Sequence, residues 1–394
     1  MTTGVLPREH GVVANGFFWR NSVSGQGDHV EMWTAWNDCI DAPQIWDRLH
    51  DKDASIKSAV WFPMHHKGCG ADLICTPAPI HNPDGSESLW CYTRPEMMYG
   101  DLRDTLGHFP LMNFWGPMTS VASVQWIADS AAWMAKRDQP DFAYIYLPHL
   151  DYAAQRTGPD SPAALKAVEE LDVVLDKFMS EVNATYSGPV DWLLASEYVI
   201  QPVDHVTYPN RVLRELGLIA FTDDDSCEQL DVTASAAWAL VDHQISHVFV
   251  KNADSATIAK VVDRFKKEPG IARVLAGDDR AEVGLDHPRS GEVVLLSEPN
   301  SWQAYYWWTL DAKAPPYART VDIHKKPGYD PVELFIDMPT KSIPLDATLV
   351  KGSHGVAVAG DERAVLLSSA GMKLSAESYA DVDVAELVLG AFHM

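Results

Sequence analysis

Short, wholly apolar runs alternate with longer amphipathic stretches along the first half of the chain. Ala59-Val60-Trp61-Phe62 is continuously apolar, as expected of a strand buried on both faces. Residues 121–136 predict a helix, and residues 142–147 predict a second strand, closed by Pro148. Ser161 is a fitting N-cap with Pro162 at the first helical position. Leu165, Val168, Leu171, Leu175 and Phe178 then recur at three- and four-residue spacing and draw one apolar stripe. Residues 192–195 read as a further buried strand. Strand, helix, strand in this order predicts a right-handed crossover and a parallel sheet. Residues 75–117 are rich in Pro, Gly, Trp and Tyr with little periodicity, which predicts a long irregular excursion of the kind that walls a pocket.

The texture changes between residues 229 and 308. Strands are expected over 245–250, 271–275 and 293–296, with an amphipathic helix over 255–267 that sets Ile258, Val261, Val262 and Phe265 on one face. This pattern divides the chain into a first core part (1–228), a small α+β insertion (229–308) and a second core part (309–394). The fold class is α/β, with helices on both faces of a largely parallel central sheet.

The formal net charge of -24 sets limits on partners. It disfavours a nucleic-acid polymer or an anionic membrane surface, since both would be repelled. It leaves a small phosphate compound open, because bound cations reverse the field of one pocket. No run of about eighteen apolar residues marks a membrane span, and no leader is evident at Met1. Five scattered cysteines without a CxxC pair read as free thiols in a reducing compartment, so a cytoplasmic location is expected.

Ligands of an open parallel sheet collect at the carboxyl ends of its strands. Asp151 follows the strand expected to end at Leu147, and Glu197 follows the one ending at Ala195. His354, in Gly352-Ser353-His354-Gly355, precedes the apolar run Ala364-Val365-Leu366-Leu367. Oxygen and imidazole donors converging from such ends suit zinc, manganese or a similar dication. Asp322 and His324 are two residues apart and would share one face of an extended segment, which makes His324 a further metal candidate. Lys325 and Lys326 beside them would attract a phosphate, and Tyr305-Tyr306-Trp307-Trp308 would form either a stacking platform or core.

Two fragments at opposite ends carry a family resemblance. Thr3-Gly4-Val5-Leu6-Pro7-Arg8-Glu9-His10-Gly11-Val12-Val13-Ala14-Asn15 resembles the T-G-x-x-P-x-x-H-G-x-x-x-N segment of the alkaline phosphatase superfamily, in its nucleotide pyrophosphatase/phosphodiesterase branch. Gly352-Ser353-His354-Gly355 resembles the segment bearing that branch's last metal histidine. The resemblance implies an alkaline-phosphatase-like fold and metal-dependent hydrolysis of a small phosphate ester or diester. Asp151 stands at a metal aspartate, but Gln155 stands where D-x-x-x-H has its histidine; Glu197 and Tyr198 stand at the last two positions of S-D-H. Asn15 stands at the asparagine that binds a phosphate oxygen, and the nucleophilic threonine would lie upstream of Met1. Altered ligands leave two other outcomes: a phosphonate or sulfate-ester hydrolase on the same scaffold, or a catalytically inactive ligand-binding relative.

Overall fold

The computed structural model describes residues 1–20, 27–82, 87–224, 226–358, 360 and 362–393. Its first sheet contains β1 (Ser58–Trp61), β2 (Leu73–Pro77), β3 (Cys91–Arg94) and β4 (Phe142–Ile145), in the spatial order β3-β2-β1-β4. β1 runs parallel to both β2 and β4, while β3 runs antiparallel to β2. The helices that pack around the site and sheets are α1 (Ile45–Lys52), α2 (Val121–Asp138), α3 (His149–Thr157), α4 (Pro162–Asn183), α5 (Ser255–Phe265) and α6 (Asp383–Ala391).

The alternation of a strand sends neighbouring side chains into different cores. Ala59 and Trp61 of β1, with Leu73 and Cys75 of β2, pack on Ile127, Ala131 and Phe178 of α2 and α4. Val60 and Ile74 point the other way, onto Trp46 and Leu49 of α1 and Leu389 of α6. A continuous apolar run is the sequence consequence of having helices on both faces.

α4 starts where its cap predicts: the Ser161 hydroxyl accepts a hydrogen bond from the Ala164 N–H at 3.1 Å. Substituting Ser161 with alanine is expected to cost about 1 kcal/mol in chemical denaturation, with no effect on the site. The buried face differs from the predicted stripe. Ala164, Ala167, Val174, Phe178 and Val182 face inward, whereas Leu165 and Val168 are exposed. Small alanines let α4 approach its neighbours closely, and this preference outranks the larger side chains one position away.

β5 (Leu193–Ala195) follows α4 but forms no ladder with β4. The second four-stranded sheet contains β6 (Ala237–Asp242), β7 (Ile245–Val250), β8 (Ile271–Ala276) and β9 (Val293–Ser297), ordered β6-β7-β9-β8 and antiparallel throughout. β10 (Leu366–Ser368) pairs antiparallel with β5. The sheets are small and mixed, which corrects the expectation of one largely parallel central sheet. The α/β class holds.

Residues 75–117 also differ from expectation, since they contain β3 and a helix at Met98–Leu106. The aromatic quartet Tyr305-Tyr306-Trp307-Trp308 is entirely buried and joins the core of the second sheet with Val293, Val332 and Ile343. It is core rather than a stacking platform, and it makes that core continuous with residues after 308. No helix among the described residues is long and apolar enough to cross a membrane.

Candidate active site

The site is assembled by a helix start, a hairpin turn and two loops. α3 begins just after β4, and Asp151 lies in its first turn, 9% exposed. Gln155 sits one turn further along the same face, and its amide donates to Asp151 Oδ1 at 2.7 Å. The Tyr329 hydroxyl donates to the other end of that amide, Gln155 Oε1, at 2.8 Å. Lys351 N–H donates to the Gln155 carbonyl at 2.8 Å and ties the His354 segment to α3. Gly352 fits flush against the Ala154 carbonyl and Ile200, where a Cβ would collide with both.

His354 then faces Asp151, with Nε2 3.9 Å from Oδ1. Its ring stacks on Tyr198 at 3.6 Å and lies tilted against His243 at 3.9 Å, and His243 stacks in turn on Tyr329 at 3.9 Å. The stack fixes ring orientation and leaves the imidazole edge to carry the chemistry. His243 occupies the two-residue turn between β6 and β7 with φ at +56°. Such a conformation is uncommon for a side-chain-bearing residue and needs support from its surroundings. Asp242 provides it, with Oδ1 2.5 Å from His243 Nδ1. The Asp242 carboxylate also accepts from the Asn15 backbone N–H at 2.8 Å and the Asn15 side-chain amide at 3.1 Å.

Electrostatics separates the carboxylates into two kinds. Burial pushes Asp242 up, but its bonds from His243 and Asn15 outweigh that and leave it below its ordinary value. Burial pushes Asp151 up, and the opposing effects of His243, Gln155 and Tyr198 do not cancel it. Glu197 meets solvent in a recess crowded by protein. Crowding raises its pKa, opposed by the Met1 ammonium and reinforced by Asp151 and Asp381. His354 is driven well below its ordinary value, by burial first and His243 second, so its imidazole is neutral. The recess thus holds carboxyl groups whose ionised forms burial disfavours and a neutral nitrogen donor. A bound cation would favour their ionised forms and let the recess attract a phosphate.

The sequence-predicted residues are placed as follows. Asp151 and His354 meet directly, and Glu197 lies within electrostatic range of Asp151. Asn15 is beside them through Asp242, with one side-chain amide hydrogen bonded there. His324 is turned away, its Nδ1 3.0 Å from the Met32 carbonyl, in a turn rather than an extended segment. Lys325 pairs with Asp322 at the surface, and Lys326 is buried between Asp330 and Glu333. Thr2 and Thr3 are engaged locally, Thr2 Oγ1 with the Gln44 amide and Thr3 Oγ1 with Val5. The sequence reading missed Asp242, His243 and Tyr329. The one available signal was an acid–imidazole pair at a turn between two apolar runs.

Among the described residues, no three His, Cys, Asp or Glu side chains stand together closely enough to hold a metal ion. The donor chemistry nevertheless suits one cation in part. Asp151 and His354 form a facing oxygen–nitrogen pair, and the raised carboxylate of Asp151 gains from a neighbouring positive charge. Among the described residues, a second cation has no matching donors beside these. The Gln155 amide is bonded at both ends, and the Tyr198 phenol, pushed well above its ordinary value by burial and Asp151, stays protonated.

A profile of the family described as type I phosphodiesterase / nucleotide pyrophosphatase matches residues 1–330. Phosphonoacetate hydrolase from Sinorhizobium meliloti 1021, solved with phosphonoformate, superposes with a TM-score of 0.55 at 14% identity, covering 99% of this chain and 82% of that one. Murine ectonucleotide pyrophosphatase / phosphodiesterase 5 gives 0.46 at 15% identity, covering 90% and 75%. No curated protein sequence matches the chain. At these identities the first superposition speaks for the fold alone.

Proposed function

This chain belongs to the type I phosphodiesterase / nucleotide pyrophosphatase family, a family of phosphoester hydrolases, and from that premise we propose a single-cation hydrolase of small phosphate esters or diesters. The observation that carries the reading is the meeting of Asp151 with His354, far apart in the chain, beside a recess of carboxylates. A divalent cation, zinc or manganese, would be held by Asp151 and His354, with Glu197 adding negative charge nearby. When bound, it would neutralise the recess and polarise a phosphoryl oxygen.

The other roles belong to the chain itself. His243, locked by Asp242, holds the His354 ring edge-on to the recess. Asn15 offers its remaining amide hydrogen to a phosphate oxygen. Gln155 and Tyr329 form a neutral wall that keeps Asp151 from turning inward.

A second reading is favoured by Gln155 and Tyr198: a ligand-binding relative that has lost turnover. Metal analysis and assay separate the two. The hydrolase reading expects co-purifying zinc or manganese and turnover of p-nitrophenyl phosphodiesters, phosphonates or sulfates that chelation removes and metal restores. A metal-loaded chain that binds such compounds and turns none of them over supports the relative instead.

A further inference from the structure

A pocket of about 180 Å³ lies apart from the recess. It is lined by Phe18, Trp19 and Arg20 at the end of the strand Gly16–Trp19, by His287 and Arg289 of a turn, and by Asp41. The strand starts at the residue after Asn15, so Trp19 is about 13 Å further on along an extended chain. Phe17 and Trp19 project from the same strand face, with ring centroids 5.1 Å apart. The Arg289 guanidinium lies over both, 5.8 Å from the Phe17 ring and 5.1 Å from the Trp19 ring. The Trp19 indole N–H donates to Glu31 at 2.7 Å, which fixes its ring plane. Phe18 turns the other way and is anchored edge-on against Trp238 at 5.1 Å and Phe249 at 5.0 Å.

The polar side of the pocket is equally well held. Arg289 Nη1 donates to the Gly11 carbonyl at 3.0 Å and to the Cys39 carbonyl, and Nη2 donates to Asp41 Oδ1 at 2.9 Å. Gly11 leaves room for this guanidinium, since a Cβ there would collide with it and with Asp41. His287 Nδ1 accepts the Arg289 backbone N–H at 3.1 Å, so its hydrogen is on Nε2, which faces Asp41 Oδ2 at 3.4 Å. Both Asp41 oxygens are therefore engaged. Arg20 uses only Nη2, on the two oxygens of Glu292 at 2.8 and 3.0 Å. A guanidinium carries five N–H donors. Among the described residues, Arg20 Nε and Nη1 and Arg289 Nε have no acceptor. Burial first, and Arg289 second, hold His287 below its ordinary value, so it is neutral. The charges lining the pocket are thus two guanidiniums against one carboxylate.

Fixed planar walls with a few unused donors are the makings of a small-molecule site. Size sets the first limit: a cavity of about 150 Å³ accepts one benzene ring, so a single ring with one small substituent fits and a nucleotide does not. The indole and guanidinium faces favour a planar ring over a puckered one. The unused N–H groups call for acceptor oxygens. An excess of one positive charge suits one negative charge, whereas a second would face Asp41 without compensation.

We propose that this pocket binds a small aromatic monoanion, a benzoate-like carboxylate, with its ring against Trp19 and the Arg289 guanidinium and its oxygens accepting from Arg20. The site is separate from the recess and independent of any cation held there. Arg289 serves as a rigid stacking plane, because its other hydrogens hold the Gly11, Cys39 and Asp41 segments together. Arg20 supplies the charge recognition.

Titration calorimetry and saturation-transfer NMR on the 394-residue chain, with benzoate as the probe, test this without reference to turnover. A chelator is kept present, so that no cation in the recess draws the carboxylate there and the result stands apart from the hydrolase reading. Benzoate should bind at one site with a dissociation constant on the order of 1 mM. Benzamide keeps the shape without the charge, and cyclohexanecarboxylate keeps the charge without the planar ring. Each should bind at least about tenfold more weakly. Trp19→Leu should weaken benzoate about tenfold. Arg20→Gln should weaken it as much and abolish the preference for benzoate over benzamide, a pattern that a general loss of fold does not produce. Absence of binding up to about 10 mM benzoate overturns the proposal. So does wild-type affinity for benzamide or cyclohexanecarboxylate equal to that for benzoate, or benzoate binding indifferent to both substitutions.

Discussion

Replacing Asp151 with asparagine should remove the bound cation and lower phosphodiester turnover at least about a hundredfold, with a smaller effect on KM than on kcat. Asparagine keeps the size of the side chain and can still accept the Gln155 amide, so the fold is retained. What disappears is the charge. Asp151 is 9% exposed and its pKa is raised, by burial above all, so its ionised form is disfavoured while no cation is present. The linkage sign follows. A carboxyl whose folded pKa lies above its unfolded value contributes stability at low pH that is lost as pH rises through the folded value. The cation-free wild type should therefore be less stable than cation-free Asp151→Asn at pH 8, and the two should converge near pH 4. Added zinc or manganese should raise the melting temperature of the wild type alone, more at pH 8 than at pH 5. Equal metal-induced shifts in both proteins would remove Asp151 from the cation site.

Much of the scaffold was legible because its signals are local. The cap at Ser161, the apolar run at β1 and the amphipathic α5 each state their structure within a few residues. Asp151 and His354 were legible for a related reason: each lies beside the end of a recognisable element. The misses share a different cause. His243 and Tyr329 enter the site through ring stacking between segments remote in sequence, and stacking leaves no spacing pattern. Helix α4 shows that periodicity alone places a stripe less well than side-chain size, since alanines took the contact face and Leu165 the solvent. Sheet direction was legible only for neighbours. The strand order predicted a crossover from β4 to β5 within one sheet, but the two strands belong to separate sheets and do not pair.

Lys326→Met should be the most destabilising single change outside the hydrophobic cores, at about 3–5 kcal/mol. Lys326 is 1% exposed, with Nζ 2.9 Å from Asp330 and 2.6 Å from Glu333. Burial alone would discharge it, but the two carboxylates outweigh burial and raise its pKa. Glu333 is pushed up to about 7, mainly by burial and against the pull of Lys326. Its contribution to stability is thus fully present below its unfolded value and fades as pH rises through about 7. Methionine fills the volume of the lysine stem but leaves Asp330 and Glu333 facing each other without a counter-charge, which raises Glu333 further. The loss should accordingly be larger at pH 8 than at pH 5.5 in urea denaturation, and Lys326→Met with Glu333→Gln should recover part of it at pH 8. The same segment carries Tyr329, whose hydroxyl holds Gln155 and whose ring supports His243. A destabilised 326–333 segment should therefore weaken cation binding at Asp151 before the protein unfolds. A loss under about 1 kcal/mol, flat with pH, would mean that water reaches the triad and that it supports neither the fold nor the site.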